Sequence, residues 1–289
     1  MIALLTRELI SNMFPSENKT ISFLPLCCAA LYLFNGNIHW YLFSGMETLL
    51  FHFLSLASIY LYSRQGFTMR TGLVLGLLLL TRVSEAPLIA AIGIVDFLRK
   101  KKDYAGYGGI LLVYLPYLLF SYHLTGSLLP TTAQGKTLTL VDGQFRPLRM
   151  ISFLFACLRY FFLYNPQILL LLIFVAIFFG WRLLMALKGR KEVNISERVE
   201  EHYLFWVIVF WGVFHLGIYT VTFRAMTHHL RYVSGIYPVI ILLSGFCWSQ
   251  WTLRRKGMEK ALPILFMTAV LLLTVVNIGF WKEVYYGNV

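Results

Sequence analysis

Apolar residues run along this chain in long stretches that polar residues interrupt only briefly. The stretches cover roughly 21–36, 45–63, 71–81, 86–98, 106–121, 165–185, 203–222, 233–251 and 261–281. A bilayer span needs about 20 apolar residues, and several of these qualify. Segments 71–81 and 86–98 do not. Each reaches only about 17–20 Å at 1.5 Å per residue, short of a hydrocarbon core of ~30 Å. Together they predict a helical hairpin that stops inside the membrane, with Arg82 and Glu85 at its tip. Polar backbone at that depth must be buried in protein or line a cavity. The pattern therefore predicts an all-α, polytopic transmembrane helix bundle of about seven full crossings plus this short intramembrane hairpin.

The connectors set the orientation. Basic residues concentrate in Arg99-Lys100-Lys101-Lys102, in the 186–202 loop with Lys188, Arg190, Lys191 and Arg198, and in Arg254-Arg255-Lys256 with Lys260. Cytoplasmic loops carry the excess of lysine and arginine. All three connectors are thus expected in the cytoplasm, with residues 1–20 a cytoplasmic amphipathic segment and the C-terminus external. Residues 150–163 are apolar enough to cross, but a crossing there would put Lys188 to Arg198 outside. They read instead as an interfacial helix, flanked by Arg149 and Arg159 and filled with Phe, Tyr and Leu, within an external segment 122–164. The whole of 1–289 is expected to be one transmembrane domain in a plasma (inner) membrane.

Composition agrees. The chain is 58% hydrophobic and 13% charged, far too apolar for a soluble domain of 289 residues. Its net charge of +12 is spread over loops that anchor a membrane protein. No motif of a nucleic-acid binder accompanies it, so membrane lipids are the expected partners and nucleic acid is not. Cys27, Cys28, Cys157 and Cys247 lie in apolar runs without metal-ligand spacing, and read as small packing residues.

The remaining charges fall at one set of segment ends. By this topology only Glu47, Glu85, Asp142 and Glu283 of the 13 acids are external. A charge near the bilayer centre costs roughly 2.5–3.5 kcal/mol on insertion scales, so water, a partner or a substrate must compensate. Glu47 opens a segment after Ser44-Gly45, where it either complements a helix dipole or accepts from a sugar hydroxyl or a divalent metal. Arg82 and Glu85 either pair with each other or hold a phosphate, for which the arginine fork is suited. Lys136 is either a solvated loop residue or part of the same basic set. His228 and His229 are adjacent and cannot share one helix face, so they make no two-histidine metal site. Arg231-Tyr232 serves either as an interface anchor or as a phosphate contact. His52 and His215, inside apolar segments, read as hydrogen-bonded core residues. No Ser/His/Asp set, phosphate-cradling glycine loop or HExxH is present, and no cofactor is implied with certainty.

Four stretches in order carry a family likeness. These are Ser44-Gly45-Met46-Glu47-Thr48, then Leu80-Thr81-Arg82-Val83-Ser84-Glu85-Ala86, then Gly126-Ser127-Leu128-Leu129-Pro130-Thr131-Thr132 continuing to Gln134-Gly135-Lys136, and Arg231-Tyr232. The chain resembles the GT-C superfamily of polytopic glycosyltransferases, those of the polyprenyl-phosphate mannosyl- and arabinofuranosyl-transferase kind. The second stretch departs from the family's L-T-R-P-E/D-G: it lacks the Pro and the final Gly, and one residue more precedes the acid. The resemblance implies transfer of a sugar from a polyprenyl-phosphate carrier to an extracytoplasmic acceptor. Glu47, Arg82, Glu85, Lys136, His229, Arg231 and Tyr232 would then be the substrate-binding set. It also implies an acid in a first external loop, which serves as base or metal ligand. No Asp precedes Asp96 here. The expectation is an N-terminally truncated member that binds the carrier but transfers poorly, with its catalytic base unassigned. The alternatives are a transporter or flippase of a lipid-linked or anionic solute, and a non-catalytic membrane subunit.

Overall fold

A computed structural model describes residues 1–13, 24–43, 47–101, 103–128, 147–189, 199–200, 202–222, 233–253 and 267–277. All secondary structure among the described residues is helical. In order the elements are α1 (Ile2–Met13), α2 (Leu24–Leu33), α3 (Gly36–Phe43), α4 (Thr48–Gln65), α5 (Met69–Thr81), a 3-10 turn (Val83–Glu85), α6 (Ala86–Leu98), α7 (Ala105–Thr125), α8 (Pro147–Tyr164), α9 (Pro166–Gly189), α10 (Tyr203–Thr222), α11 (Ile236–Leu253) and α12 (Met267–Asn277). Among the described residues, Ala105–Thr125 and Tyr203–Thr220 are long and apolar enough to cross a membrane. Ile151–Phe162 and Pro166–Trp181, bent by 118°, add a third if they form one span. Leu24–Leu33, Met69–Thr81, Ile236–Trp251 and Met267–Asn277 are apolar but shorter. This fits an integral membrane protein. So does the outer surface of α7, where Leu111, Leu112, Leu115, Leu119, Phe120 and Leu124 are all exposed. Water would not tolerate so continuous an apolar patch without a partner.

The chain divides into two compact units, each assembled from separated stretches. Unit 1 takes Met1–Met46, Leu158–Ile208 and Tyr237–Val289; unit 2 takes Glu47–Cys157 and Val209–Ile236.

In unit 1, α1 is amphipathic, with Ile2, Leu5, Thr6, Leu9 and Ile10 buried and Leu4 and Arg7 exposed. It packs on α2. The apolar run expected over 21–36 ends early, because Asn35 stops it. Its side-chain Oδ1 accepts from the Asn37 backbone N at 3.0 Å, and its carbonyl accepts from Ile38 N, so Asn35 caps the separate helix α3.

In unit 2, α4 turns into α5 through Gly66, whose φ of 74° suits glycine and strains other residues. α5 packs against both α4 and α7. Its crossing with α7 depends on bare backbone. A Cβ on Gly72 would overlap the Gly106 carbonyl oxygen, and one on Gly76 would lie 2.8 Å from Val113 Cβ. Gly72 and Gly76 stand four apart, the spacing by which small residues let membrane helices approach closely. Gly72→Val is therefore expected to destabilise unit 2 by about 1–3 kcal/mol, the usual cost of overpacking. Gly217→Ala, built where no atom lies within 4 Å, is the control. Thermal unfolding of both variants in detergent checks the difference.

The hairpin has a local cause. Pro87 lacks an N–H, and its ring clashes with a helical carbonyl four residues back, at Val83. α5 accordingly ends with Arg82 extended (φ −152°, ψ 109°), and α6 restarts at Ala86. At the far end of α6, Asp96 accepts from the Tyr62 hydroxyl near the end of α4. α5 therefore leaves that end and α6 returns to it. Each has 13 residues, or about 20 Å.

Candidate functional site

Four segment ends of unit 2 place their polar side chains together: the start of α4, the α5–α6 break, the second half of α10, and Gly235 just before α11. Glu47 occupies the N-cap position of α4 but makes no capping hydrogen bond with its side chain. It reaches instead to the break, where its Oε1 accepts from Arg82 Nη2 at 3.2 Å. The same nitrogen lies 3.2 Å from Thr48 Oγ1. The Arg82 guanidinium also sits 4.9 Å above the centre of the Phe51 ring, a cation–π geometry whose strength grows as water is excluded. The Arg82 side chain is only 5% exposed, while that of Glu47 is 45% exposed. Glu47 is thus the more exposed partner of the ion pair.

Glu85 does not pair with Arg82. Its Oε2 lies 3.2 Å from Nδ1 of His215, and both side chains are fully buried. Glu85 Oε1 and His215 Nε2 have no hydrogen-bond partner among the described residues. The histidine ring is stacked on Phe51 (centroids 6.3 Å apart, planes within 4°) and tilted against Tyr219. Phe51 therefore lies between the two pairs, touching Arg82 and His215. Gly235 makes room for this column: a Cβ there would lie 2.7 Å from the His215 ring and 2.8 Å from Phe51 Cζ. Next to Glu85, Ser84 Oγ meets the Tyr219 hydroxyl at 2.6 Å, which ties the break to α10 a second time.

The structure thus describes three of the seven residues that sequence singles out and joins two of them directly. Glu47 and Arg82 are in direct contact, and Glu85 follows three residues after Arg82 on a different partner. Of the two readings left open for Arg82 and Glu85, mutual pairing is replaced by two separate pairs. Lys136, His229, Arg231 and Tyr232 lie outside the described residues, as do Ser44, Gly45 and Met46. No group of three or more His, Cys, Asp or Glu suited to a metal ion occurs among the described residues. The expected burial of His52 and His215 is seen.

Sequence reading misses the role of His215, along with Thr48, Phe51 and Tyr219. The signal available was the cost of a polar ring in the middle of an apolar helix, which asks for a partner. Nothing local names that partner, since Glu85 is 130 residues away.

Unit 1 holds a second buried polar cluster, made of neutral groups. Asn37 Nδ2 donates to Asn165 Oδ1 at 2.6 Å and to the Tyr237 hydroxyl at 3.2 Å, and Asn37 Oδ1 accepts from the Tyr160 hydroxyl at 2.9 Å. Asn165 precedes Pro166 at the α8–α9 junction, and its backbone carbonyl accepts from Ile168 N, a helix start favoured by the proline at the first helical position. These contacts join Asn37, Tyr160, Asn165 and Tyr237, with Asn165 Nδ2 left without a hydrogen-bond partner among the described residues, so the cluster reads as a polar seam holding α3, α8 and α11 in register.

No family model matches the chain, and no curated protein or solved structure matches it either.

Proposed function

We infer that the protein binds a polyprenyl-phosphate-linked sugar at the α5–α6 break and belongs with the GT-C type of membrane glycosyltransferase, serving an acceptor on the external side. The observation that carries this reading is Arg82: a buried arginine, at the tip of a short apolar hairpin, held by a half-exposed carboxylate. An arginine is costly at such a depth, and its planar fork fits a phosphate oxygen pair. Thr48 and Phe51 fix the guanidinium, so little side-chain freedom remains to be lost on binding. Glu47 is the group that an arriving phosphate would displace from Arg82, which frees its carboxylate to accept from a sugar hydroxyl. Lys136 and Arg231 are proposed as further phosphate contacts, with His229 and Tyr232 beside them. In the transfer reaction an acid takes the proton of the acceptor hydroxyl, and basic groups stabilise the departing phosphate. The surrounding polytopic bundle would be GT-C-like, with a cytoplasmic N-terminus.

The Glu85–His215 pair favours a second reading. Acid and histidine side chains inside a membrane commonly serve proton relays in transporters. Reconstitution separates the two. The expected result is saturable capture of a radiolabelled polyprenyl-phosphate sugar, without protein-dependent flipping of that lipid or uptake of an anionic solute. Protein-dependent movement of either would assign the protein to transport.

Orientation has its own test. Single cysteines placed at Ser196 and Thr139, with the four native cysteines replaced, should label from opposite sides with a membrane-impermeant maleimide. Labelling of Ser196→Cys from outside would contradict the proposed external site.

A further inference from the structure

The end of unit 2 remote from Arg82 gathers a different set of side chains. α4 has 18 residues, so its ends are about 27 Å apart, close to the thickness of a hydrocarbon core. Four helix ends converge there. The Tyr62 hydroxyl bonds Asp96 and accepts from Arg99 Nη1 at 3.2 Å, which joins the ends of α4 and α6. The Phe67 carbonyl accepts from Gly106 N at 2.9 Å and its ring meets Tyr107 edge-on, which joins the α4–α5 turn to the start of α7. Arg64, Arg70, Arg99, Lys100 and Lys101 all lie at this end. The acids there are Asp96, engaged with Tyr62 and Arg99, and Asp103, which caps the Ala105 N–H. Among the described residues of this end, five cations thus stand beside two anions. Arg70, Lys100 and Lys101 are exposed, and Phe97 and Tyr104 beside them are 80% and 70% exposed.

The backbone adds an independent observation. α6 ends with Lys100 N bonded to Phe97 O and Lys101 N bonded to Asp96 O, the paired closure of a Schellman motif. The residue at its left-handed position is normally glycine, yet here it is Lys100 at φ 55°, the only non-glycine with positive φ among the described residues. A strained lysine in place of glycine is retained at a cost to the fold, and its charge offers a reason.

We propose that this end of unit 2 is a binding site for the phosphate headgroup of an anionic phospholipid, with Arg70, Lys100 and Lys101 as its donors and Phe97 and Tyr104 lying against the lipid. Basic clusters at the ends of membrane helices attract anionic headgroups, and each exposed Lys or Arg contributes roughly a five-fold gain in affinity. Exposed aromatic rings at the same level suit the boundary between headgroup and acyl chain. The site is independent of Arg82 and of the function proposed for it.

Native mass spectrometry of the purified protein, titrated with dioleoyl phosphatidylglycerol or dioleoyl phosphatidylcholine, tests the proposal. Preferential retention of phosphatidylglycerol is expected. Lys100→Gly should lower that retention about five-fold while leaving thermal stability unchanged or raised, because glycine relieves the left-handed strain. A mere loss of folding cannot give that combination. Arg70→Gln with Lys101→Gln, which does not touch the strained position, should lower retention about 25-fold. Inorganic phosphate at millimolar concentration should not compete. Equal retention of the two lipids, unchanged retention in both variants, or displacement by inorganic phosphate would each overturn the proposal.

Discussion

Glu85→Ala is expected to destabilise the protein by about 1–3 kcal/mol, the usual cost of leaving a buried hydrogen-bonding group without its partner. On a domain of this size that lowers the unfolding temperature on the order of 5 °C. The expectation rests on complete burial of both Glu85 and His215. Alanine removes the partner of His215 Nδ1 and leaves the ring with no way to reach water, while Gly235 and Phe51 keep it from swinging aside. Glu85→Gln keeps an acceptor oxygen at nearly the same place and should cost under about 1.5 kcal/mol, within the net worth of one hydrogen bond. His215→Ala should be about as damaging as Glu85→Ala. The double variant should be less damaging than the sum, with a coupling of roughly 0.5–3 kcal/mol. Thermal unfolding of the four proteins in one detergent measures the cycle. Additive losses would mean that the two side chains are not partners in the membrane.

Arg82→Ala carries the second large effect, and it is on binding. A charge-assisted hydrogen bond contributes about 1.5–3 kcal/mol, so loss of the guanidinium should weaken capture of a polyprenyl phosphate by roughly 10- to 100-fold. Arg82→Lys should not restore it fully. Lysine retains the charge but loses the planar fork and the stacking on Phe51. A lysine variant that binds as well as the natural protein would reduce Arg82 to a point charge and remove the geometric part of the argument.

Much of the helical layout was legible in the sequence, because a membrane makes long apolar runs and short basic connectors conspicuous. The stretches 86–98 and 203–222 coincide with α6 and α10, and the hairpin between 71 and 98 follows from Pro87 and the two short runs. The early stop at Asn35 was less visible, since one asparagine in an apolar run signals a cap only when the following backbone is seen to use it. Division into two units was not legible at all. Each unit is built from stretches separated by more than a hundred residues, and periodicity is blind to such distances. The site shows the same limit. The cost of charge in lipid drew attention to Glu47, Arg82 and Glu85, but not to which residue each would meet. Arg82 and Glu85 suggested a local pair because they are three apart. Their separate partners depend on α4 and α10 being brought to the break.

The site proposed at Arg82 is one for a lipid phosphate. Its most direct test compares one lipid with and without that group. The purified protein in neutral-lipid nanodiscs is titrated with a polyprenyl phosphate and with the polyprenol of the same chain length, and retention of each is measured for the natural protein and for Arg82→Ala. Saturable retention of the phosphate is expected, at least about tenfold stronger than of the alcohol, with that preference lost in the variant. Equal retention of phosphate and alcohol, or a preference that survives Arg82→Ala, would contradict it.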